Sequence, residues 1–138
     1  MNTAPIIARL QSQCPGLRFV GGALDLEEST LLSATYPAAF VIPLSESAED
    51  NQFAGSHLQN LTQQWGVLLA VKAVRTTASD QSAELQTLRL QIRAALIGWT
   101  PSAERTEFNF TSGSLLGADA GMLLWQDEFT TTQIITGA

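Results

Sequence analysis

The sequence has few residues with which to do chemistry. Cys14 is its sole cysteine and His57 its sole histidine, which excludes an internal disulfide and a Cys/His zinc site built by one chain. No apolar run approaches the roughly 18 residues that span a bilayer; the longest are broken by Gly, Lys or Gln, so no membrane partner is expected. The N-terminus lacks the basic segment and apolar core of a secretory signal, and folding in a reducing cytoplasm is the simplest expectation. Basic residues are scarce too: seven, spread from Arg9 to Arg105 without a cluster, against 13 acidic ones, for a net charge of −6. Affinity for nucleic acid comes from Lys and Arg neutralising phosphates, so this chain is not expected to grip DNA, although an acidic surface can stand beside it. Charged residues make up 14% of the chain, against roughly 25% in an average domain. Much of the surface must then be Ser, Thr, Gln, Asn and small residues, a composition that suits permanent protein contacts.

What is present is enough for one core. A length of 138 residues with 45% hydrophobic side chains predicts a single domain over residues 1–138, stable without staples. Ile6, Ile7, Leu10 and Cys14 fall on one helix face, with Thr3 as N-cap, Pro5 in the first turn and Cys14-Pro15-Gly16 as the stop. A short strand is predicted at Leu17 to Val20, ended by Gly21-Gly22, and a short helix or helical turn at Ala23 to Leu32, broken by Tyr36-Pro37. Ala38 to Leu44 is a continuous apolar run, the pattern of a central strand buried on both faces, with Pro43 at its end. Ser45 to Ser56 reads as a polar, acidic loop. From Leu58 to Val74 the period becomes two: Leu61, Trp65, Val67, Leu69 and Val71 lie on one face, Asn60, Thr62, Gln64 and Lys72 on the other. Such a strand, roughly 17 residues at ~3.3 Å each, outruns an ordinary sheet, so its polar half, Gln59 to Gln64, is expected to leave the core as an arm and pair with a neighbouring subunit. Ser79 or Asp80 is predicted to cap a helix over Ala83 to Ile97, with Leu85, Leu88, Ile92, Ala95, Leu96 and Trp99 as its apolar stripe, Arg89 and Arg93 on or beside its polar face, and Gly98 and Pro101 ending it. Phe108 and Phe110 alternate with polar residues, Gly117 to Gly121 turns the chain, and a last strand runs from Met122 through Trp125 and Phe129 towards Ile135, reading as a β-meander. Helices and strands mix without alternating strictly. That predicts an α+β fold, a mixed and mainly antiparallel sheet with two main helices packed on it.

The search for a reactive centre returns little. His57 with Cys14 and an acid could make a nucleophilic site, but Cys14 sits on an apolar helix face, where a core thiol is expected. The acids Asp25, Glu27 and Glu28, and Glu46, Glu49 and Asp50, lack the glycine-centred loop of a calcium site and read as solvated. Gly21-Gly22 lacks the spacing and the Lys-Ser/Thr ending of a phosphate loop. Trp65 and Trp99 fit core faces. Trp125 stands in Leu123-Leu124-Trp125-Gln126-Asp127-Glu128-Phe129, where both strand faces carry large apolar groups; one must meet a covering helix or another subunit. No catalytic residue, metal or cofactor is expected, and the chain reads as a structural protein.

Taken in order, several blocks resemble the tail terminator family of long-tailed phages and prophage-derived tail particles. They are Ile6 to Leu10 leading to Leu17 to Ala23, then Pro37 to Leu44, Trp65 to Val71, Arg93 to Pro101 with its Gly-Trp-Thr-Pro segment, and Trp125 to Phe129. The resemblance implies a protein that closes into a ring, generally a hexamer, on the head-proximal end of a growing tail tube. Such a ring halts tube polymerisation and offers a joining surface to head-completion proteins, and to the sheath in a contractile tail. It implies assembly in the host cytoplasm followed by residence in the virion tail, with DNA sliding through without specific binding. The expected interface residues are Gln59, Asn60, Leu61, Thr62, Gln63, Gln64, Trp125, Asp127, Glu128 and Phe129, with Ser45 to Ser56 reaching along or across the ring. The alternatives are a small cytoplasmic enzyme or ligand-binding domain using His57, and another head–tail connector protein.

Overall fold

The structure, a computed structural model, describes residues 2–26, 35–51, 55–72, 78–102, 105–119 and 122–136. Helix α1 (Ala4–Gln13) buries Ile6 and Leu10 and ends at the buried Cys14. Thr3 occupies the cap position without bonding through its side chain; the Ala4 amide instead donates to Asn2 Oδ1 at 3.1 Å. Strand β1 (Phe19–Gly22) includes the glycine pair that the sequence places at its end. A 3-10 turn, Ala23–Leu26, follows, and its Asp25 Oδ2 accepts the Gly22 amide at 2.8 Å. A Cβ on Gly21 would stand 2.5 Å from that same oxygen, so the folded-back carboxylate requires glycine there. The remainder of the expected Ala23 to Leu32 helix lies outside the described residues. After the cis Tyr36-Pro37 peptide come β2 (Ala38–Ala48), β3 (Leu58–Lys72), helix α2 (Ala78–Leu96), β4 (Asn109–Asp119) and β5 (Met122–Thr136).

The sheet order is β1-β2-β3-β5-β4, parallel only between β1 and β2. This is the mixed, mainly antiparallel α+β sheet with two helices that the element count implies. The C-terminal strands do not extend it as a meander: β5 enters between β3 and β4, pairing with β3 from Leu58↔Thr136 to Lys72↔Met122. Gly117 to Asp119, expected in a turn, belong to β4, and the rest of that expected turn lies outside the described residues.

Strand alternation divides the molecule into two cores. Trp65, Val67, Leu69 and Val71 of β3 point to the side covered by α1 and α2, where they meet Leu10, Leu88, Ile92, Leu96, Phe108 and Phe129. The intervening Leu68 and Ala70 join Ala38 and Phe40 in a smaller cluster on the reverse face, against Phe19, Leu26, Tyr36 and Leu124. Ala38 to Val41 are fully buried, as a continuous apolar run requires. Helix α2 begins before its expected caps, so Ser79 and Asp80 lie within it; its stripe Leu85, Leu88, Ile92, Ala95 and Leu96 is buried as expected. Gly98 ends it with φ 82°, the left-handed conformation that glycine adopts without penalty.

Beyond the helices the sheet continues as an arm. The polar run that reads as a loop from Ser45 is strand as far as Ala48: past an irregularity between Pro43 and Ser45, Ser45 to Ala48 pair with Gln64 to Leu61. On the other side Leu58 to Gln64 pair with Thr136 to Thr130. The arm is therefore internal strand pairing: Leu61 to Gln64 have both ladder edges taken within their own chain and no free edge for the expected pairing with a neighbour, whereas Gln59 and Asn60 lie beyond the β2 register. Arg105 and Thr106 close the far side of β5, the Thr106 amide donating to Thr132 O at 2.8 Å and Thr131 Oγ1 donating to Thr106 O at 2.6 Å.

Candidate functional site

The ten expected interface residues separate by strand parity into two groups. Trp125, Asp127 and Phe129 share the helix-covered face with their β3 partners Leu69, Val67 and Trp65. Phe129 is fully buried and meets Phe110 edge-on, ring centroids 5.7 Å apart. Asp127 is 2% exposed, and a carboxylate there must be paired and hydrogen-bonded. Arg89 of α2 supplies the pair: Nη2 donates to Oδ1 at 2.9 Å, and Nε lies 3.3 Å from both oxygens. Trp125 Nε1 donates to the same Oδ1 at 2.8 Å, and the Arg89 guanidinium covers the Trp125 ring at 4.2 Å. Helix α2 thus covers the half-buried Trp125 through Arg89. Opposite Asp127 in the ladder stands Gly113, where a Cβ would lie 2.5 Å from Asp127 Oδ1 and 2.9 Å from Arg89 Nη2. Arg89 and Gly113 complete a site that sequence reasoning missed. The available signal was Asp127 itself: an acid two residues from Trp125 and two from Phe129 falls on a core face, and a core acid needs a cation.

The second group faces the other way. Asn60, Thr62 and Gln64 of β3 share the reverse face with Thr130, Thr132 and Ile134 of β5, and Glu128 continues it. Glu128 accepts from Gln126 Nε2 and Ser112 Oγ, each at 3.1 Å; Ser45 Oγ donates to Gln64 Oε1 at 3.0 Å. No helix or second cluster is described over this part of the sheet, and Ile134 is 63% exposed. Gln59, Leu61 and Gln63 fall on the helix side of the arm; Gln63 is buried, donating to Glu46 Oε1 at 2.7 Å. The side chains open to a partner are thus Asn60, in part Gln59, Leu61, Thr62 and Gln64, and Glu128, whereas Gln63, Asp127 and Phe129 are enclosed by the subunit.

His57 and Cys14 are not brought together. Cys14 is buried beneath α1, and burial pushes its thiol up to about 11 although Arg9 draws it down. His57 is exposed at the far end of the arm, Nε2 lying 2.8 Å from Gln59 Oε1. Seven residues of β3, Leu58 to Gln64, separate it from Trp65, about 26 Å of extended chain at ~3.3 Å per residue step. Among the described residues no group of three or more His, Cys, Asp or Glu is arranged to hold a metal, and no helix is long and apolar enough to cross a membrane.

Fold and site together define a packing domain: the acid on its helix-covered sheet face is committed to an internal ion pair with Arg89, and the outward face of its arm is a polar ladder. The chain belongs to the phage tail terminator family, whose model matches residues 1–138, and is a phage tail structural protein. Among solved structures it is similar to a chain of the virion of a native gene transfer agent (GTA) particle, at 12% identity over 96% of this chain and 85% of that one, with a TM-score of 0.50. At that identity the likeness speaks for the fold alone. No curated protein sequence matches the chain.

Proposed function

We propose that copies of this chain close into a hexameric ring on the head-proximal end of a phage tail tube, stop the tube from growing, and provide the surface to which the head is joined. The observation that carries this reading is the family match over residues 1–138; the packing of the chain supports it, because the arm presents a broad polar face to a neighbour. The partners are sister subunits, the tail tube protein and a head-completion protein, with the sheath added in a contractile tail. Assembly takes place in the host cytoplasm. Capping needs no chemistry: one ring face matches the last tube ring, the other does not repeat it, and growth ends. Asn60, Thr62, Gln64 and Glu128 are the residues of the outward face assigned here to contact. A net charge of −6 per copy lines such a ring with negative potential, which lets DNA slide instead of sticking.

The test is removal of the gene from a producing phage. Tubes that overrun their normal length and fail to join heads are expected, together with rings at tube ends when the protein is restored. Tubes of normal length that join heads without it would end this reading.

A further inference from the structure

The helix-covered face of β3 changes character at Trp65. Val67, Leu69 and Val71 continue it into the main core, whereas the next residue on that face towards the arm is Gln63. Both are enclosed, Gln63 at 2% exposure and Trp65 at 1%. Each nevertheless holds a side-chain polar atom without a hydrogen-bond partner among the described residues: Gln63 Oε1, which can only accept, and Trp65 Nε1, which can only donate. The two atoms are therefore chemically complementary. A polar atom shut away from solvent without a partner is costly, so native interiors supply one, from the protein or from an ordered water.

Neither side chain can find that partner by turning. Gln63 Nε2 donates to Glu46 Oε1 at 2.7 Å, and a flipped amide would set its oxygen against the carboxylate, acceptor against acceptor. The Trp65 indole belongs to the main core, where a close-packed ring does not swing out to solvent. Two residues apart on one strand face, Gln63 and Trp65 have Cα atoms about 6.6 Å apart at ~3.3 Å per residue. A water with a partner on either side spans roughly 5.8 Å, which suits side chains rooted at that spacing. Thr131 stands opposite Gln63 in the ladder and is 1% exposed. Its Oγ1 donates its one proton to Thr106 O at 2.6 Å, so its lone pairs remain as a further acceptor.

We propose that one water is built into the root of the arm, accepting from Trp65 Nε1 and donating to Gln63 Oε1, with Thr131 Oγ1 as its second acceptor. The partners select water by their chemistry. A cation would be met by the indole N–H and an anion by the amide and hydroxyl oxygens, whereas water accepts and donates at once. Buried waters typically make about three hydrogen bonds, the number offered here. The water carries the Glu46–Gln63 contact on to Trp65 and so ties a polar rung of the arm to the apolar core of the body, where side-chain packing alone would leave the two unlike surfaces unjoined. This site is a property of the single subunit and holds whether or not copies form a ring.

The test is a crystal structure of the full wild-type chain at a resolution that shows ordered water. Density for one water within about 3.2 Å of both Trp65 Nε1 and Gln63 Oε1 is expected. Either atom bonded directly to a protein group, a water that reaches only one of them, or no density between them would overturn the proposal. A second measurement, in solution, compares the urea midpoints of Gln63→Leu, Trp65→Phe and the double variant. With a shared water each single change lowers the midpoint, and the double variant falls by clearly less than the sum, because the second change removes a partner that the first has already released. Losses that add, or a midpoint raised by Gln63→Leu, as removal of an atom lying dry would raise it, would also overturn it. If a variant does not fold, the wild-type density decides alone.

Discussion

At the residue scale, the Arg89–Asp127 pair shows how a charge is held inside the subunit. Asp127 is 2% exposed and accepts hydrogen bonds from Arg89 at 2.9 Å and Trp125 at 2.8 Å. Removing one member leaves the other charged and unpaired, which costs about 3–5 kcal/mol. Asp127→Ala is expected to lose that much in urea unfolding, and Arg89→Met/Asp127→Leu to recover most of it; equal losses in both would mean that the packing, not the pairing, matters. Gly113→Ala should lose about 1–3 kcal/mol by overpacking, because its Cβ would press on both partners. Cys14 gives a pH prediction. Its thiol is raised to about 11 by burial, above the roughly 8.5 of an unfolded cysteine. Between those values the unfolded chain loses a proton that the folded one keeps, so this contribution is whole below the lower value and is lost as pH rises through the upper one. Wild type should therefore lose more stability than Cys14→Ala between pH 8 and pH 11, and native Cys14 should resist a thiol reagent at pH 8 until denaturant is added. Parallel pH curves for the two proteins would refute the assignment.

At the scale of elements, the arm carries a prediction of its own. Gln59 to Gln64 look like a strand that has left its sheet, yet Leu61 to Gln64 are paired to β2 and β5 alike. Their amides should exchange with solvent about as slowly as those of Val67 to Val71; exchange complete in the first seconds would show that the arm does not persist in solution. This element also marks the limit of what local sequence reveals. The period-two pattern of Trp65 to Val71 and the stripe Leu85, Leu88, Ile92 announce a strand and a helix, because burial against any core imposes that spacing. Ser45 to Ala48 carry no such spacing. They are strand because Leu61 to Gln64 continue past the helices and need a partner, a fact of the tertiary fold. The insertion of β5 between β3 and β4 is equally silent in local periodicity, since hairpin patterning does not say which strand lies on the rim. The candidate site was legible in the same measure: Trp125, Asp127 and Phe129 are visible as a group, but Arg89 enters only once α2 is docked.

At the scale of the whole molecule, charge sets the conditions of assembly. Copies that each carry a net charge of −6 repel one another, so their self-association should become more complete as salt rises, because the screening length falls from ~10 Å at 0.1 M to ~3 Å at 1 M. Sedimentation across that range checks it, and association that weakens with salt would place ion pairs at the junction. The protein should also fail to retain duplex DNA at the lower salt. The position of β5 also sets the order in which the subunit is completed. It is synthesised after β1 to β4, yet it fills the gap between β3 and β4. A nascent chain still on the ribosome thus has its earlier strands waiting around a missing middle, and a chain cut short before these residues loses the centre of its sheet instead of a dispensable margin.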